Sequence, residues 1–362
     1  MKYYIYRALR KFWLINCNMV GINMINLQPP FMITRILLII LALGTVQCGN
    51  RAGAKAVKES GTTRTEEVKK QPPIVITIEK ELTYDKHTLA DEYDYKDGKR
   101  IFQWDKVKDS LHCLETAQRI EGIRWATLQN YKNKNGVAPE VQDPELNEYK
   151  TMSDEFGVSR FQSIPLYEKP GDDKPVRYGR DGALVRFLQD SAEYIKICSM
   201  TYDGEWYVPE KYVKVLDTPE FDHVIFVDRE NQNITTLEKS GDKWMVRSMN
   251  PATTGLHHPP YQQETPLGTF VIQEHKPRMY YMGDGNNKIV GYAPYASRFT
   301  RGGYIHGVPL NNPDATEADY IEFSPTLGTT PRSHMCVRNA TSHAEFVYNW
   351  AKPLESLVFV IE

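Results

Sequence analysis

Short runs of β-branched and aromatic residues, each bounded by turn residues, constrain the fold of this chain most. Three such runs follow one another at hairpin spacing, at residues 224–228, 234–238 and 243–248. Residues of these types favour strands, and neighbouring strands joined by tight turns pair antiparallel. The run at 357–361 is apolar throughout, which is typical of a buried strand. The pattern predicts a mainly β fold of the α+β class.

Two stretches depart from this pattern and predict helices. Apolar residues recur at spacings of three and four between Trp104 and Ile120, as on one face of an amphipathic helix. Ser342 and Glu345 have the spacing of a capping box, which predicts a second, short helix over 344–350.

Composition limits the classes of function. The chain has 362 residues, enough for two or three domains, and its net charge of -2 gives no reason to expect a nucleic-acid partner. The five cysteines form no CxxC pair and show no zinc-ribbon spacing, so neither a disulfide framework nor a zinc ribbon is predicted. A bridge between Cys113 and Cys198 stays open.

The N-terminal region, residues 1–48, has the features of an export signal. An apolar run at 36–43 follows Arg35 and has the length of a signal-peptide core rather than of a membrane span. Cys48 ends this region, as at a bacterial lipoprotein site, but Gln47 departs from the small residue usual before that cysteine. Both an acylated and an unmodified Cys48 stay open, and either predicts an exported protein of the cell envelope or periplasm. Residues 1–31 are long and aromatic for such a signal, so translation is expected to begin at Met32.

The rest of the chain divides by composition. Residues 49–75 are polar and without apolar period, which predicts a flexible tether, and residues 76–155 are predicted to be partly helical. Residues 156–218 contain short strand-like runs with Gly and Pro turns, typical of a small barrel. The order of these runs, from PLYEKPG at 165–171 to YDGEWYVP at 202–209, resembles bacterial SH3-like domains. Such domains commonly bind peptidoglycan or a peptide. A role as a mere spacer stays open.

A reactive cysteine is the strongest candidate for chemistry. Cys336 lies two residues after His334 and two before Arg338. Cationic neighbours of this kind lower the pKa of a thiol and make the sulfur nucleophilic. The alternative is an ordinary half-buried cysteine in a polar loop.

Three motifs in fixed order carry a resemblance to a known family. They are TPLGTF at 265–270, YIHG at 304–307 and SHMCVR at 333–338. Together, over residues 222–362, they resemble the L,D-transpeptidase catalytic domain (YkuD-like). The resemblance implies that Cys336 is the nucleophile, that His306 is its base and that the Gly307 carbonyl fixes the tautomer of that base.

The resemblance also implies supporting roles. His334 would shape the oxyanion side or polarise the substrate, and Ser333 would support the loop. Backbone N–H groups around Met335 and Cys336 would form the oxyanion hole. Arg338 would either anchor a substrate carboxylate or brace the loop.

No metal and no cofactor are predicted. His306, His334 and Cys336 are all types of zinc ligand. The resemblance, however, assigns them to acyl transfer, and a cysteine acyl transfer needs no cofactor.

Two departures from the family pattern matter. Met335 stands where the family usually has glycine, so a positive φ there would strain the backbone. The 30 positions between His306 and Cys336 (336 minus 306) are more than expected. The polar loop at 311–330 supplies the excess, and we interpret it as a lid over the site.

The sequence therefore predicts a cell-wall L,D-transpeptidase that acts on peptidoglycan stem tetrapeptides, with a membrane partner only through the anchor at Cys48. Two alternatives stay open. Water could replace the acceptor amine, which would make the protein an L,D-carboxypeptidase. Met335 could instead impair catalysis and leave a peptidoglycan-binding lipoprotein.

Overall fold

The structure is a computed structural model that describes residues 72–218 and 220–362. The predicted signal region 1–48, its Cys48 and most of the predicted tether 49–75 lie outside the described residues. Within the described part of the chain, none of the helices has the length and apolarity needed to cross a membrane.

The first half of the described chain consists mainly of short strands. These elements are β1 Thr77–Lys80, β2 Glu92–Tyr95, β3 Gly98–Ile101, α1 Trp104–Gln118, β4 Arg124–Leu128, β5 Glu145–Leu146, β6 Met152–Ser153, β7 Ser163–Leu166, β8 Arg177–Arg180, β9 Leu184–Ser191, β10 Tyr194–Ser199, β11 Glu205–Pro209 and β12 Val213–Val215.

The second half contains longer strands and a second helix. They are β13 His223–Asp228, β14 Asn233–Ser240, β15 Lys243–Pro251, β16 Gly268–Val271, β17 Glu274–Met282, β18 Ile289–Thr300, β19 Gly303–His306, β20 Val337–Arg338, α2 Thr341–Trp350 and β21 Ser356–Ile361. Short 3-10 turns lie at Tyr131–Asn133, Glu210–Tyr212 and Glu317–Asp319. The mainly β prediction is confirmed.

The predicted capping box of the second helix is wrong. Helix α2 begins at Thr341 after the N-cap residue Ala340, so Ser342 lies inside its first turn. The backbone N–H and hydroxyl of Ser342 instead donate to the carboxylate of Glu322, at 3.0 and 2.5 Å. An acceptor distant in sequence thus satisfies a helix N-terminus, which a local capping pattern cannot anticipate.

The centre of the molecule is a six-stranded sheet in the order β1-β15-β14-β13-β21-β16. The hairpins β13–β14 and β14–β15 pair antiparallel, as the sequence predicts, while β13 pairs parallel with β21. At the edge, β1 pairs parallel with β15, so the chain near residue 78 completes a sheet built otherwise from residues beyond 222.

Helix α1 covers one face of this sheet. Its buried residues Leu111 and Leu114 share one hydrophobic core with Phe226 and Trp244 of the sheet. Burying a leucine side chain contributes roughly 2 kcal/mol. The helix therefore contributes several kcal/mol of burial to the sheet it covers.

A second core lies on the opposite face and supports the site. Side chains of β13 and β21 pack there against Phe299 of β18, Ile305 of β19 and Val337 of β20. Strands β17 to β20 form a four-stranded sheet in chain order, in which β19 and β20 are parallel. This packing fixes the ends of β19 and β20 next to each other.

A separate five-stranded antiparallel sheet has the order β11-β10-β9-β4-β12 and its own core. It includes β4, which precedes residue 156, so the sheet extends across the predicted boundary at 155/156. The domain boundaries stay a prediction. Cys113, Cys198 and Cys336 are free thiols, so the bridge between the first two is not formed.

Candidate active site

Strand pairing brings the second and third motifs together. In the parallel pair, Ile305 lies opposite Val337 and His306 opposite Arg338. A cavity of about 530 Å³ opens beside this pair. Five of the predicted site residues line it: His306, Ser333, His334, Cys336 and Arg338.

The first motif braces the loop that carries the cysteine. Thr265 is fully buried, and its hydroxyl donates to the Met335 carbonyl oxygen at 2.8 Å. The same oxygen of Thr265 accepts the backbone N–H of Gly255 at 2.9 Å. All three motifs therefore meet at one place, with TPLGTF behind the loop rather than in the cavity.

Cys336 is a buried thiol, 8% exposed. Its Sγ donates a weak hydrogen bond to the Gly302 carbonyl oxygen at 3.4 Å. Burial raises the pKa of Cys336 to about 11, against smaller opposing effects from the Tyr304 backbone and Arg338. The expectation that cationic neighbours lower this pKa is therefore wrong, because loss of hydration outweighs one nearby guanidinium.

His306 is buried at the end of β19, 2% exposed. Its Nδ1 lies 2.7 Å from the Gly307 carbonyl oxygen. A carbonyl only accepts, so Nδ1 carries the proton and Nε2 keeps a free lone pair. Burial lowers the pKa of His306 to about 4. At neutral pH the imidazole and the thiol are thus both uncharged.

No hydrogen bond joins Cys336 to His306 among the residues that the structure describes. The thiol instead points to Gly302, while both side chains face the same cavity. Contacts between a nucleophile and its base commonly tighten only when substrate binds.

Ser333 ties the cysteine loop to its neighbours. Its hydroxyl donates to the Cys336 carbonyl oxygen, closing the loop on itself. Its backbone N–H donates to Thr254 at 3.1 Å, and its carbonyl accepts the N–H of Leu256 at 3.0 Å. Ser333 thus supports the loop from both backbone and side chain.

Met335 has a positive φ of 91°. This region costs a residue with a Cβ roughly 1–2 kcal/mol, which explains why glycine suits the position. The Met335 side chain is buried, 7% exposed, and does not line the cavity. The methionine therefore strains the backbone without narrowing the pocket.

The loop leaves backbone donors free. The N–H groups of His334, Met335 and Cys336 donate to no residue in the described ranges. Donors without protein partners, next to a nucleophile, are what an oxyanion hole requires.

The His334 side chain reaches a hairpin tip. Its side chain is 43% exposed, and Nε2 lies 2.9 Å from a carboxylate oxygen of Asp284, between β17 and β18. Sequence reasoning missed Asp284. Its Gly-Asp-Gly-Asn-Asn surroundings signal a turn, but nothing local signals its partner.

The hairpin of β17 and β18 contributes the largest group of residues to the cavity wall. It contributes Met279, Tyr281, Met282, Gly283, Asp284 and Val290. The predicted lid loop 311–330 contributes only Asn311 and Ser324. Elsewhere the loop is fixed to other elements, since Arg100 donates to the carbonyls of Gly328 and Thr329.

Arg338 is a half-buried guanidinium in the cavity wall, and burial lowers its pKa. Within residues 72–218 and 220–362, it forms no ion pair with a carboxylate, and the titratable groups that act on its pKa are Cys336, Tyr281 and Arg332. The described part of the chain also holds no group of three or more His, Cys, Asp or Glu side chains that could bind a metal ion.

Residues 222–360 match the family model of YkuD, the L,D-transpeptidase catalytic domain. That stretch is thus similar to a YkuD catalytic domain. No curated protein matches the chain significantly.

Several solved structures are similar to the chain at low identity. One is a fused Zn-dependent amidase/peptidase/peptidoglycan-binding domain-containing protein from Clostridium acetobutylicum (17% identity, 40% of this chain and 53% of that one, TM-score 0.28). Another is an L,D-transpeptidase from Mycobacterium smegmatis (13% identity, 55% of this chain and 99% of that one, TM-score 0.31). A third is an L,D-transpeptidase from Mycobacterium tuberculosis H37Rv (18% identity, 55% of this chain and 77% of that one, TM-score 0.30). The chain spans about half of the first of these proteins. At such TM-scores the YkuD match alone carries the assignment.

Proposed function

We propose that the protein is a cell-wall L,D-transpeptidase that transfers acyl groups between peptidoglycan stem peptides. The observation that carries the proposal is the meeting of Cys336 and a singly protonated His306 in one cavity of a YkuD catalytic domain. Cys336 is the nucleophile and His306 the general base.

Acylation begins with both groups neutral. The thiol turns from Gly302 toward His306, and its proton passes to Nε2 as the sulfur attacks the carbonyl carbon between the third and fourth residues of the donor. Free N–H groups of the cysteine loop stabilise the oxyanion. The C–N bond then breaks, the leaving amine takes the proton from His306, and a thioester remains.

The second step restores the enzyme. An acceptor amine attacks the thioester and gives its proton to His306, the C–S bond breaks, and the sulfur recovers the proton. Water as the acceptor turns the same step into hydrolysis. The two reactions differ only in the molecule that reaches the thioester, so the carboxypeptidase alternative is an outcome of the same assay.

Arg338 would anchor the donor. A half-buried guanidinium without a carboxylate partner suits a substrate carboxylate, which it can bind through two parallel hydrogen bonds. Met335 favours an impaired enzyme less than the sequence suggests, since its side chain stays outside the cavity lining.

The five-stranded sheet is, in this proposal, an SH3-like module that holds the enzyme on peptidoglycan. In the same predicted module, Arg177 of β8 stacks on the exposed Phe156 at 4.0 Å and lies near Tyr202 at 4.6 Å. We expect Phe156→Ala, introduced in an inactive Cys336→Ala background, to weaken co-sedimentation with purified sacculi. Unchanged co-sedimentation would contradict the module's role.

Export to the cell envelope belongs to the same proposal. Residues 1–48 would direct export, and acylation of Cys48 would add the membrane anchor. Mass spectrometry of the mature N-terminus decides between a lipid-modified Cys48 and an unmodified one.

The test of the proposed function is intact-mass spectrometry after incubation with a carbapenem. We expect one adduct per molecule on the unmodified protein and none on Cys336→Ala. A tetrapeptide donor, offered with and without an acceptor amine, then separates transfer from hydrolysis. A folded protein that forms no adduct would overturn the proposal.

A further inference from the structure

The segment behind the nucleophile carries a polar network that the proposed reaction does not use. Tyr304 lies two residues before His306 in β19 and is buried, 3% exposed. Its side chain shares a small apolar cluster with Cys336 and Ala296. The carbonyl that accepts the Cys336 thiol belongs to Gly302, in the turn between β18 and β19. Tyr304 therefore lies on the segment that holds the resting sulfur.

The hydroxyl of Tyr304 is fully bonded. Lys276 Nζ donates to it at 3.0 Å, the Tyr131 hydroxyl lies 3.3 Å away, and a carboxylate oxygen of Glu274 lies 3.4 Å away. A carboxylate only accepts, so the single proton of Tyr304 points to Glu274, and Tyr131 donates to Tyr304. Burial raises the pKa of Tyr304, which keeps this proton in place at neutral pH. The phenol thus has one fixed orientation.

Two cations keep Glu274 available as that acceptor. Lys276 Nζ lies 3.2 Å from its carboxylate, and Arg298 Nε donates to it at 2.8 Å. Burial raises the pKa of Glu274, but these two cations outweigh burial and hold the pKa below its usual value. The carboxylate therefore stays ionised at neutral pH, and the bond from Tyr304 stays in place.

Part of the network comes from outside the YkuD match. Tyr131 lies in the 3-10 turn that follows β4 of the five-stranded sheet. The guanidinium of Arg298 lies 4.3 Å from the Tyr131 ring and donates to Asp181, between β8 and β9, at 2.7 Å. The same carboxylate of Asp181 accepts the backbone N–H of Asn130 at 2.7 Å. The turn that carries Tyr131 is thus fastened to β18.

We propose that Tyr304 and Tyr131 are positioning residues, which hold the turn at Gly302, and with it the Cys336 sulfur, in place for attack. The inference rests on the proposed function and deepens it, because the five-stranded sheet then takes part in positioning the nucleophile. Neither tyrosine lines the cavity. Their effect should therefore appear in the rate of the chemical step and not in donor binding.

The kinetic test compares Tyr304→Phe and Tyr131→Phe with Tyr93→Phe. Tyr93 is a matched control outside the cavity, because its hydroxyl donates to the Asn231 carbonyl at 2.8 Å and accepts from Asn233 at 3.1 Å. Carbapenem acylation is followed by intact mass at several carbapenem concentrations. We expect the maximal rate constant to fall roughly 5- to 10-fold in the first two variants, the size of one hydrogen bond. The half-saturating concentration, and both constants of the control, should stay unchanged.

The fraction of protein that forms the adduct separates positioning from a purely structural role. A variant that only unfolds in part would form less adduct at an unchanged rate constant. An unchanged rate constant, with or without loss of adduct, would overturn the inference and leave the proposed function standing. The double variant should be no slower than Tyr304→Phe, since Tyr131 acts through Tyr304. Effects that multiply would overturn that link.

A second readout does not depend on the proposed function. Alkylation of Cys336 by iodoacetamide is measured by peptide mass spectrometry, relative to Cys198 of the same molecule. A buried thiol reacts only when its surroundings open, so this ratio should rise roughly fivefold in Tyr304→Phe and stay constant in Tyr93→Phe. Equal rises for both thiols would show a global loss of structure and overturn the inference. An unchanged ratio without such rises would overturn it too, whether or not a carbapenem adduct forms.

Discussion

The two proposed catalytic groups, His306 and Cys336, are held by different means. His306 ends a regular strand, where pairing of β19 with β18 and β20 fixes the backbone, and the Asn339 N–H donates to its carbonyl at 2.9 Å. Cys336 lies in an irregular loop that depends on two hydroxyls, those of Thr265 and Ser333. Backbone pairing is independent of side chains, whereas hydroxyl bonds are not. Single substitutions should therefore disturb the nucleophile more easily than the base.

The largest effects come from the reacting groups themselves. We expect Cys336→Ala to abolish transfer and His306→Gln to reduce it roughly 10³-fold or more, because the thiol is neutral at rest and needs a base to lose its proton. Steady-state transfer assays measure this, with His258→Gln as an exposed control. Near-normal activity of His306→Gln would show that the sulfur ionises without it.

The next largest effect is expected from acid, which should lower the free energy of unfolding. Burial lowers the pKa of His306 to about 4 and that of His343 to about 3. Between pH 6.5 and these values the unfolded chain binds more protons, so stability is complete above pH 6.5 and falls as the pH drops. The full loss is of the order of 3 kcal/mol for His306 and of the order of 5 kcal/mol for His343.

Denaturant unfolding at pH 7 and pH 5 measures the first part of this loss, about 2 kcal/mol for each histidine. His343→Gln should flatten the pH dependence, since its ring bonds Asn339 and Ser248 and takes no part in the proposed chemistry. A variant with the original pH dependence would contradict the low pKa of His343.

Loss of the Thr265 hydroxyl should destabilise the loop that carries Cys336. Thr265→Val removes the hydroxyl that links Gly255 and Met335, and leaves a buried N–H and a buried carbonyl without a partner. We expect a loss of roughly 2 kcal/mol in the free energy of unfolding and slower carbapenem acylation. Thr269→Val, in the same motif, is the matched control and should cost less than about 1 kcal/mol. Equal effects of the two would show that the brace is unimportant.

The smallest effect is expected from Met335→Gly. Relief of the positive φ gains roughly 1–2 kcal/mol, while loss of a buried side chain and added chain entropy cost slightly more. A net loss of about 1 kcal/mol and an activity change of less than about threefold should result. A large rise in activity would instead show that the methionine impairs the native site.

The sequence predicted the elements with a strong local pattern. The strands β13 to β15 and β21 lie where the apolar runs place them, and α1 lies where the periodicity places it. The motifs also identified five of the sixteen residues that line the cavity, including His306 and Cys336, because their order carries family information.

Features that depend on distant partners could not be predicted. Glu322 accepts the backbone N–H of Ser342 in place of the predicted capping box, and the Asp284 carboxylate bonds the ring of His334. The pKa of Cys336 follows from burial, which a list of neighbours in sequence does not reveal.

The position of β1 limits where the chain can be truncated. A fragment that begins at residue 222 would contain the whole YkuD match, but β15 would become a bare sheet edge. Such edges pair readily with other chains. Loss of α1 would at the same time bring Phe226 and Trp244 into water. We expect that fragment to aggregate on expression, while one that begins near residue 72 stays soluble, so the family boundary does not mark a unit that folds alone.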